Sequence, residues 1–169
     1  MKMEFMVFAF LLTQSFLVSL VDIKHKKISN QWLYVNLVAF VGLCLLFPDV
    51  YAASATPFLM ASTFLAVGFV LYLLKVMGAG DSKYLFSFFL LIPPAWLDTA
   101  FFDLLVCTMV IGSFSLFTTI AQNFQRMSLY ARTGYIRGFR ECLGTKFPFA
   151  PVIFISWAWL GIKVFYLGL

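Results

Sequence analysis

Two aspartates stand out among the seven acidic residues, because each lies where an apolar run meets a polar break. Asp22 follows the first apolar run, and Asp81 lies in the break between the third and the fourth. Two carboxylates held close together do not both ionise, so one can take a proton from water while the other donates a proton to a carbonyl group. The pair is therefore a candidate for peptide-bond hydrolysis without a metal or a nucleophilic side chain.

Other catalytic groups are scarce. The single histidine, His25, lies among lysines, which argues against a histidine zinc site and against a Ser-His triad. The three cysteines form no CxxC pair, so we expect no metal and no cofactor. A second interpretation of the aspartates stays open, in which they are loop charges: Asp22 would pair with Lys24, and Asp81 with Lys83.

The composition indicates the elements that must position this pair. Of the 169 residues, 63% are hydrophobic and 11% are charged, and the mean hydropathy is +0.96. Soluble domains have about 45–50% apolar and about 25% charged residues. These values exclude an ordinary soluble enzyme and a disordered chain, and they predict an all-α, polytopic membrane protein. The net charge of +5 then reports membrane topology, and we expect no binding of nucleic acid.

Six apolar runs predict about six transmembrane helices. They are Phe5–Val21, Trp32–Phe47, Pro57–Val76, Tyr84–Leu97, Phe101–Ala121 and Phe149–Leu169. The third, fifth and sixth runs reach the roughly 17–25 residues that a spanning helix needs, and the first two reach that length with their polar flanks. The fourth is short and ends at Pro93-Pro94. It is either a re-entrant segment or a span that begins earlier, at the glycine-rich turn.

The basic residues follow an alternating pattern along these runs. Ten of the twelve lysines and arginines lie in the breaks after the first, third and fifth runs or, in the case of Lys75, at the end of the third run. Because cytoplasmic loops collect positive charge, we predict cytoplasmic loops at about 22–31, 77–83 and 122–148 and both termini outside. The longest of these breaks, 122–146, is interpreted as a basic connector on anionic lipid or as a substrate-docking surface.

The residues around Asp81 favour a catalytic role. The stretch 77–83 reads Met-Gly-Ala-Gly-Asp-Ser-Lys. Gly78 and Gly80 lack Cβ atoms, so we expect unusual backbone angles and room for another chain to approach. A peptide substrate must be unwound and extended before it is cut, and it would need such access. A flexible helix break is the common alternative.

Two motifs make the sequence resemble the prepilin peptidases, which are membrane aspartic proteases of the GxGD type. Gly78-Ala79-Gly80-Asp81 matches the GxGD motif, and Lys83 matches the basic residue that usually follows. The segment Asp22–Asn30 is similar to the family's D-x5-I-P-N segment, with Ser29 where the family often has proline. Phe147-Pro148-Phe149-Ala150-Pro151 is similar to the proline-containing segment before the family's last helix.

The resemblance implies an aspartic endopeptidase that removes the short basic leader from type IV or Flp-like prepilins, with Asp22 and Asp81 as its catalytic dyad. Four supporting residues are implied: Gly78, Gly80, Lys83 and Asn30. Larger family members carry a cytoplasmic region with paired CxxC motifs and N-methyltransferase activity. We therefore expect the short, CpaA/TadV-like form, with a single peptidase domain over residues 1–169.

The implied partners are a prepilin, with its basic leader and apolar helix, and the lipid of the inner (plasma) membrane. The positive leader stays in the cytoplasm, so the scissile bond lies at the depth predicted for the two aspartates. Three alternatives remain: an archaeal-type preflagellin or prepilin peptidase, a small transporter, and a non-catalytic membrane component. A transporter would place its acids near the bilayer midplane. The sequence predicts no oligomeric state.

Overall fold

The computed structural model describes residues 2–26, 28–51, 55–73, 77–133 and 148–168. Within these ranges all regular structure is helical, which confirms the predicted all-α class. The α-helices are α1 (Lys2–His25), α2 (Gln31–Leu46), α3 (Pro48–Tyr51), α4 (Thr56–Leu73), α5 (Ala79–Leu91), α6 (Leu97–Thr133) and α7 (Ala150–Tyr166), and a 3-10 turn covers Pro94–Trp96.

Helix α5 lies at the centre of the bundle. Most of its side chains are buried, including Tyr84, Phe88 and Phe89, and the helix packs against α2 and α4. The Phe88 ring also meets the Trp157 ring of α7 edge to face, with the ring centroids 5.3 Å apart. An aromatic-rich helix covered on several sides is a rigid support for groups at its ends.

Helix α7 packs against α1 and α6. The Trp157 indole donates a hydrogen bond to the carbonyl oxygen of Phe8 over 3.1 Å, and the two rings stack at 5.5 Å. Gly161 leaves space for the same Phe8 ring, since a Cβ at this position would lie 2.2 Å from the ring edge. The first and the last helix of the described chain are therefore neighbours.

Three helical stretches are long and apolar enough to cross a membrane: Met3–His25, Thr56–Leu73 and Pro94–Arg126. Their outer surfaces carry large exposed apolar side chains, among them Leu59, Phe69, Val110 and Phe117. Such a surface is unfavourable in water and favourable in lipid. The chain is therefore a membrane protein, as the composition predicts. The number of spans and the side of each terminus remain predictions.

The other apolar runs form shorter helices. Gln31–Leu46 has 16 residues and Ala150–Tyr166 has 17, so the helix of the sixth run is at the lower limit of spanning length. The helix of the fourth run begins before Tyr84, in agreement with the second of its two predicted starts. Its helix begins at Ala79, at the glycine-rich turn, and ends at Leu91, because Pro93 and Pro94 cannot continue it. With 13 residues, α5 is about 20 Å long.

Helix α6 differs from the prediction at its C-terminal end. The apolar run ends at Ala121, yet the helix continues to Thr133, so the first part of the predicted loop 122–148 is helical. The segment after Ala121 contains Gln, Arg, Leu and Met, which are good helix formers. The helix therefore continues although its surface becomes polar. Residues 134–147, which hold Arg137, Arg140 and Lys146, lie outside the described residues.

Candidate active site

Asp22 lies in the last turn of α1 and is buried, with 3% of its surface exposed. Its carboxylate Oδ2 accepts a hydrogen bond of 3.0 Å from the amide of Ala150, the first residue of α7. A helix N-terminus has unpaired N–H groups and a positive dipole end, both of which stabilise a carboxylate there. Within the described residues Asp22 forms no ion pair with Lys24, so the loop-charge interpretation fails for this residue.

Asp81 lies in the first turn of α5 and is half-buried. Its Oδ2 accepts a hydrogen bond of 3.0 Å from the amide of Gly78, at the N-cap position. A Cβ at Gly78 would lie 3.1 Å from the same carboxylate oxygen. Glycine at this position therefore gives the aspartate room to fold back over the helix start, an arrangement typical of a capping side chain.

The backbone angles at Gly78 are ordinary. They are φ −79° and ψ 147°, an extended conformation that any residue adopts, so the unusual angles expected for this glycine are not observed. What matters at Gly78 is the space beside the Asp81 carboxylate.

Gly80 brings the two motif segments together. A Cβ at this position would lie 2.6 Å from the carbonyl oxygen of Ile28. Real Cβ atoms do not approach a main-chain oxygen so closely, so only glycine fits here. The approach of another chain that we expected at Gly80 is thus made by this protein's own first motif segment, Asp22–Asn30. Ile28 itself is 4% exposed.

A left-handed residue turns the chain from α1 toward this contact. Lys26 has φ 49°, and its amide donates a hydrogen bond of 2.7 Å to the carbonyl oxygen of Asp22. A residue in this conformation commonly ends a helix and reverses the chain direction. Because Lys26 follows α1 directly, the turn lets Ile28 reach Gly80.

The remaining implied residues lie at the surface. The Asn30 side chain is exposed and makes no capping hydrogen bond, although the residue precedes α2. Ser29 is the residue that departs from the family motif. Its Oγ accepts a hydrogen bond of 3.3 Å from the Gln31 amide at the start of α2. Lys83 is exposed on α5.

A close helix crossing fixes the start of α5 from its other side. A Cβ at Gly68 of α4 would lie 2.5 Å from the Oγ of Ser82 and 3.2 Å from its Cα. Small residues at a crossing let two helix backbones approach closely, as is common in membrane proteins. Ser82 follows Asp81 directly, so this crossing holds the backbone that carries the carboxylate. The sequence analysis missed both residues of the crossing.

A chain of buried polar side chains joins three helices beneath the site. The Gln14 amide of α1 donates a hydrogen bond to the Asn36 side chain of α2, and the Asn36 amide donates to the Ser87 hydroxyl of α5 over 2.9 Å. All three residues are at most 3% exposed. Polar groups buried in a membrane protein are retained where they pair across helices, so this network fixes how α1, α2 and α5 pack.

The described residues contain no group of three or more His, Cys, Asp or Glu side chains that is placed to hold a metal ion. Among the residues that the structure describes, Asp22 and Asp81 are the carboxylates carried by the two motif segments. Each one is oriented by a main-chain N–H, from Ala150 and from Gly78 respectively.

Comparison with known proteins identifies the family. The model of the type IV leader peptidase family matches residues 8–124, a range that includes both motif segments. No curated protein and no solved structure matches the chain. The family match covers more than half of the chain and confirms the resemblance drawn from the two motifs. The protein therefore belongs to the type IV leader peptidase family.

Proposed function

We propose that this peptidase is an aspartic endopeptidase of the inner membrane that removes the basic leader from type IV or Flp-like prepilins, with Asp22 and Asp81 as its catalytic dyad. The contact that carries the proposal is the one between Ile28 and Gly80. It joins the segment that begins with Asp22 to the residue directly before Asp81. Two carboxylates are thereby supported at one end of the bundle by residues that belong to the matched family range.

The proposed chemistry needs one proton on the dyad. The ionised carboxylate takes a proton from a water molecule, whose oxygen attacks the carbonyl carbon of the last leader residue. The protonated carboxylic acid donates its proton to the carbonyl oxygen. When the C–N bond breaks, the new amine takes up a proton from the dyad, and the leader leaves with a carboxyl terminus. The proton belongs to the pair and not to one residue.

Both carboxylates are held before a substrate arrives. The Ala150 amide orients Asp22, and the Gly78 amide orients Asp81. The helices that carry them are fixed by the Gly68–Ser82 crossing and by the Gln14–Asn36–Ser87 network. Preorganised groups need little rearrangement when charge develops during the reaction, and this supports hydrolysis over a purely structural role.

The proposed substrate follows from depth and charge. The alternating basic residues favour a multi-pass arrangement with Asp22 and Asp81 at the cytoplasmic boundary and both termini outside. In this arrangement α5, although short, lies inside the bundle: its C-terminal end at Leu91 is buried in protein, and its start at Ala79 is exposed, as a site at an aqueous boundary requires. A prepilin has a basic leader that stays in the cytoplasm, and its scissile bond then lies at the same boundary.

The test uses purified protein in detergent with a prepilin as substrate, and mass spectrometry to follow leader removal. The variants are Asp22→Asn and Asp81→Asn, because an asparagine oxygen can still accept the Ala150 or Gly78 hydrogen bond. Each should reduce the cleavage rate by about 10²–10⁴-fold, as removal of a general acid or base does. Asp49→Asn, an exposed residue with the same charge change, should cleave normally. Full cleavage by either dyad variant would refute the assignment.

A further inference from the structure

An ion pair lies at the end of the bundle away from the peptidase motifs. Lys163, in the last turn of α7, donates a hydrogen bond from its Nζ to Oδ1 of Asp103 on α6. The thirteen residue steps from Ala150 to Lys163 correspond to about 20 Å along α7. The pair is therefore remote from Asp22, and the proposed dyad has no use for it.

The Asp103 carboxylate is only partly satisfied. The residue is 5% exposed, and within the described residues its second oxygen, Oδ2, is buried without a hydrogen-bond partner. A buried charged oxygen without a donor is costly, so it calls for a donor from outside the described chain. Lys163 is also under-used, because an ammonium group has three donors and Asp103 takes one of them.

This carboxylate stands at one end of an apolar groove of about 300 Å³ between α6 and α7. The groove is lined by Asp103, Val106, Cys107, Val110, Ile111, Ile155 and Trp159. Val106, Val110, Ile155 and Trp159 are each about half exposed, so the groove opens outward from the bundle. In a membrane, an outward-facing apolar groove is in contact with lipid chains.

We propose that this groove binds one phospholipid with a primary ammonium headgroup, of the phosphatidylethanolamine type. An acyl chain lies along Val106 and Val110, and the ammonium donates a hydrogen bond to Oδ2 of Asp103. The lipid phosphate accepts a hydrogen bond from Lys163. The headgroup ammonium thus matches the negative charge of Asp103, and the phosphate matches the positive charge of Lys163. The ion pair between Asp103 and Lys163 remains in place.

The headgroup, and not the chain, gives the selectivity. Every phospholipid offers an acyl chain, and lipid chains are as apolar as the side chains of the groove, so chain contacts do not favour one lipid over another. A choline headgroup has no N–H to donate to Asp103, and a glycerol headgroup has no positive charge. Charge-assisted hydrogen bonds contribute about 1.5–3 kcal/mol, so a preference of about tenfold or more is expected.

The experiment places the protein in nanodiscs that contain equal amounts of phosphatidylethanolamine, phosphatidylcholine and phosphatidylglycerol, and native mass spectrometry reports the lipid retained. We expect about tenfold enrichment of phosphatidylethanolamine. Replacing it with its mono-, di- and trimethylated forms should reduce retention, with the largest loss at the trimethylated form. This series uses the unaltered protein, so it remains decisive if a variant does not fold.

Two variants locate the site. Asp103→Asn should remove the preference, and Asp98→Asn, an exposed residue on the same helix, should leave it unchanged. Equal retention of choline and ethanolamine lipids would overturn the proposal, and so would an unchanged preference in Asp103→Asn. Release of the protein as a dimer without retained lipid would assign the groove to a second copy of the chain.

Discussion

Gly80 lies against the main-chain carbonyl of Ile28, with 2.6 Å between that oxygen and the place where a Cβ would stand. The contact joins the loop after α1 to the first turn of α5. It connects the segment that begins at Asp22 with the one that contains Asp81.

Gly80→Ala should therefore change the positions of both motif segments, and not only weaken the first turn of α5. The added methyl group must push the Ile28 carbonyl away, at a cost of about 1–3 kcal/mol for overpacking. We expect a lower melting temperature and loss of most cleavage activity. Gly42→Ala is the matched control, because Gly42 lies on α2 with open space at its Cβ position. It should gain about 0.5–1 kcal/mol from helix propensity and keep full activity. Equal behaviour of the two variants would show that the Ile28 contact is unimportant.

The structural and the chemical roles of Asp22 can be separated by two substitutions. Asp22→Asn keeps an oxygen for the Ala150 amide, whereas Asp22→Ala removes it. Loss of a side-chain cap costs about 0.5–2 kcal/mol, so the alanine variant should melt at a lower temperature than the asparagine variant. Both should be inactive if Asp22 belongs to the dyad. Identical melting curves for the two variants would contradict the role of this hydrogen bond in holding α7.

The crossing of α4 and α5 predicts a suppressor mutation. Gly68→Ala places a methyl group within 2.6 Å of the Ser82 Oγ and Cβ atoms, so it should separate the helices and reduce both stability and cleavage. Removing the opposing side chain with Ser82→Gly in the same protein should restore much of what the first change removed. A double-mutant cycle on melting temperature measures the coupling. Additive effects of the two substitutions would argue against a direct contact.

The left-handed turn after α1 predicts a stabilising substitution. Lys26→Gly should raise the free energy of unfolding by about 1 kcal/mol, because glycine adopts a positive φ without a steric penalty. Lys24→Gly removes the same charge from within α1 and should lower stability by about 1 kcal/mol. The comparison of the two variants by thermal unfolding cancels the effect of charge. Destabilisation by Lys26→Gly would contradict the turn geometry.

The sequence predicts the acidic side chains of the candidate site far better than it predicts the groups that hold them in place. Asp22 and Asp81 are conspicuous because only seven of the 169 residues are acidic, and the GxGD motif marks the second one. The Ala150 amide carries no side-chain signal and is 128 residues away from Asp22, so no local pattern reveals it. Likewise, the motif predicts a glycine at position 80 but not that Ile28 occupies its empty side.

The helix bounds show where composition stops being informative. Apolar runs located the helices, since a lipid-facing helix must be apolar along its length. They did not include the start of α5, which lies at the glycine-rich turn as one of the two predictions had it, or the end of α6, which continues through polar residues to Thr133. In both cases the helix extends beyond the apolar segment, and α5 ends where Pro93 and Pro94 follow it.

The hydrogen bond from Ala150 to Asp22 also constrains when the protein can mature. Helices of a membrane protein leave the ribosome in sequence order, so Asp22 is synthesised long before the amide that orients it. During that interval α1 is present but lacks its final neighbour, and the first carboxylate of the proposed dyad is unsupported. The Asp22 carboxylate therefore gains this support only after residue 150 has been synthesised and α7 has packed against α1.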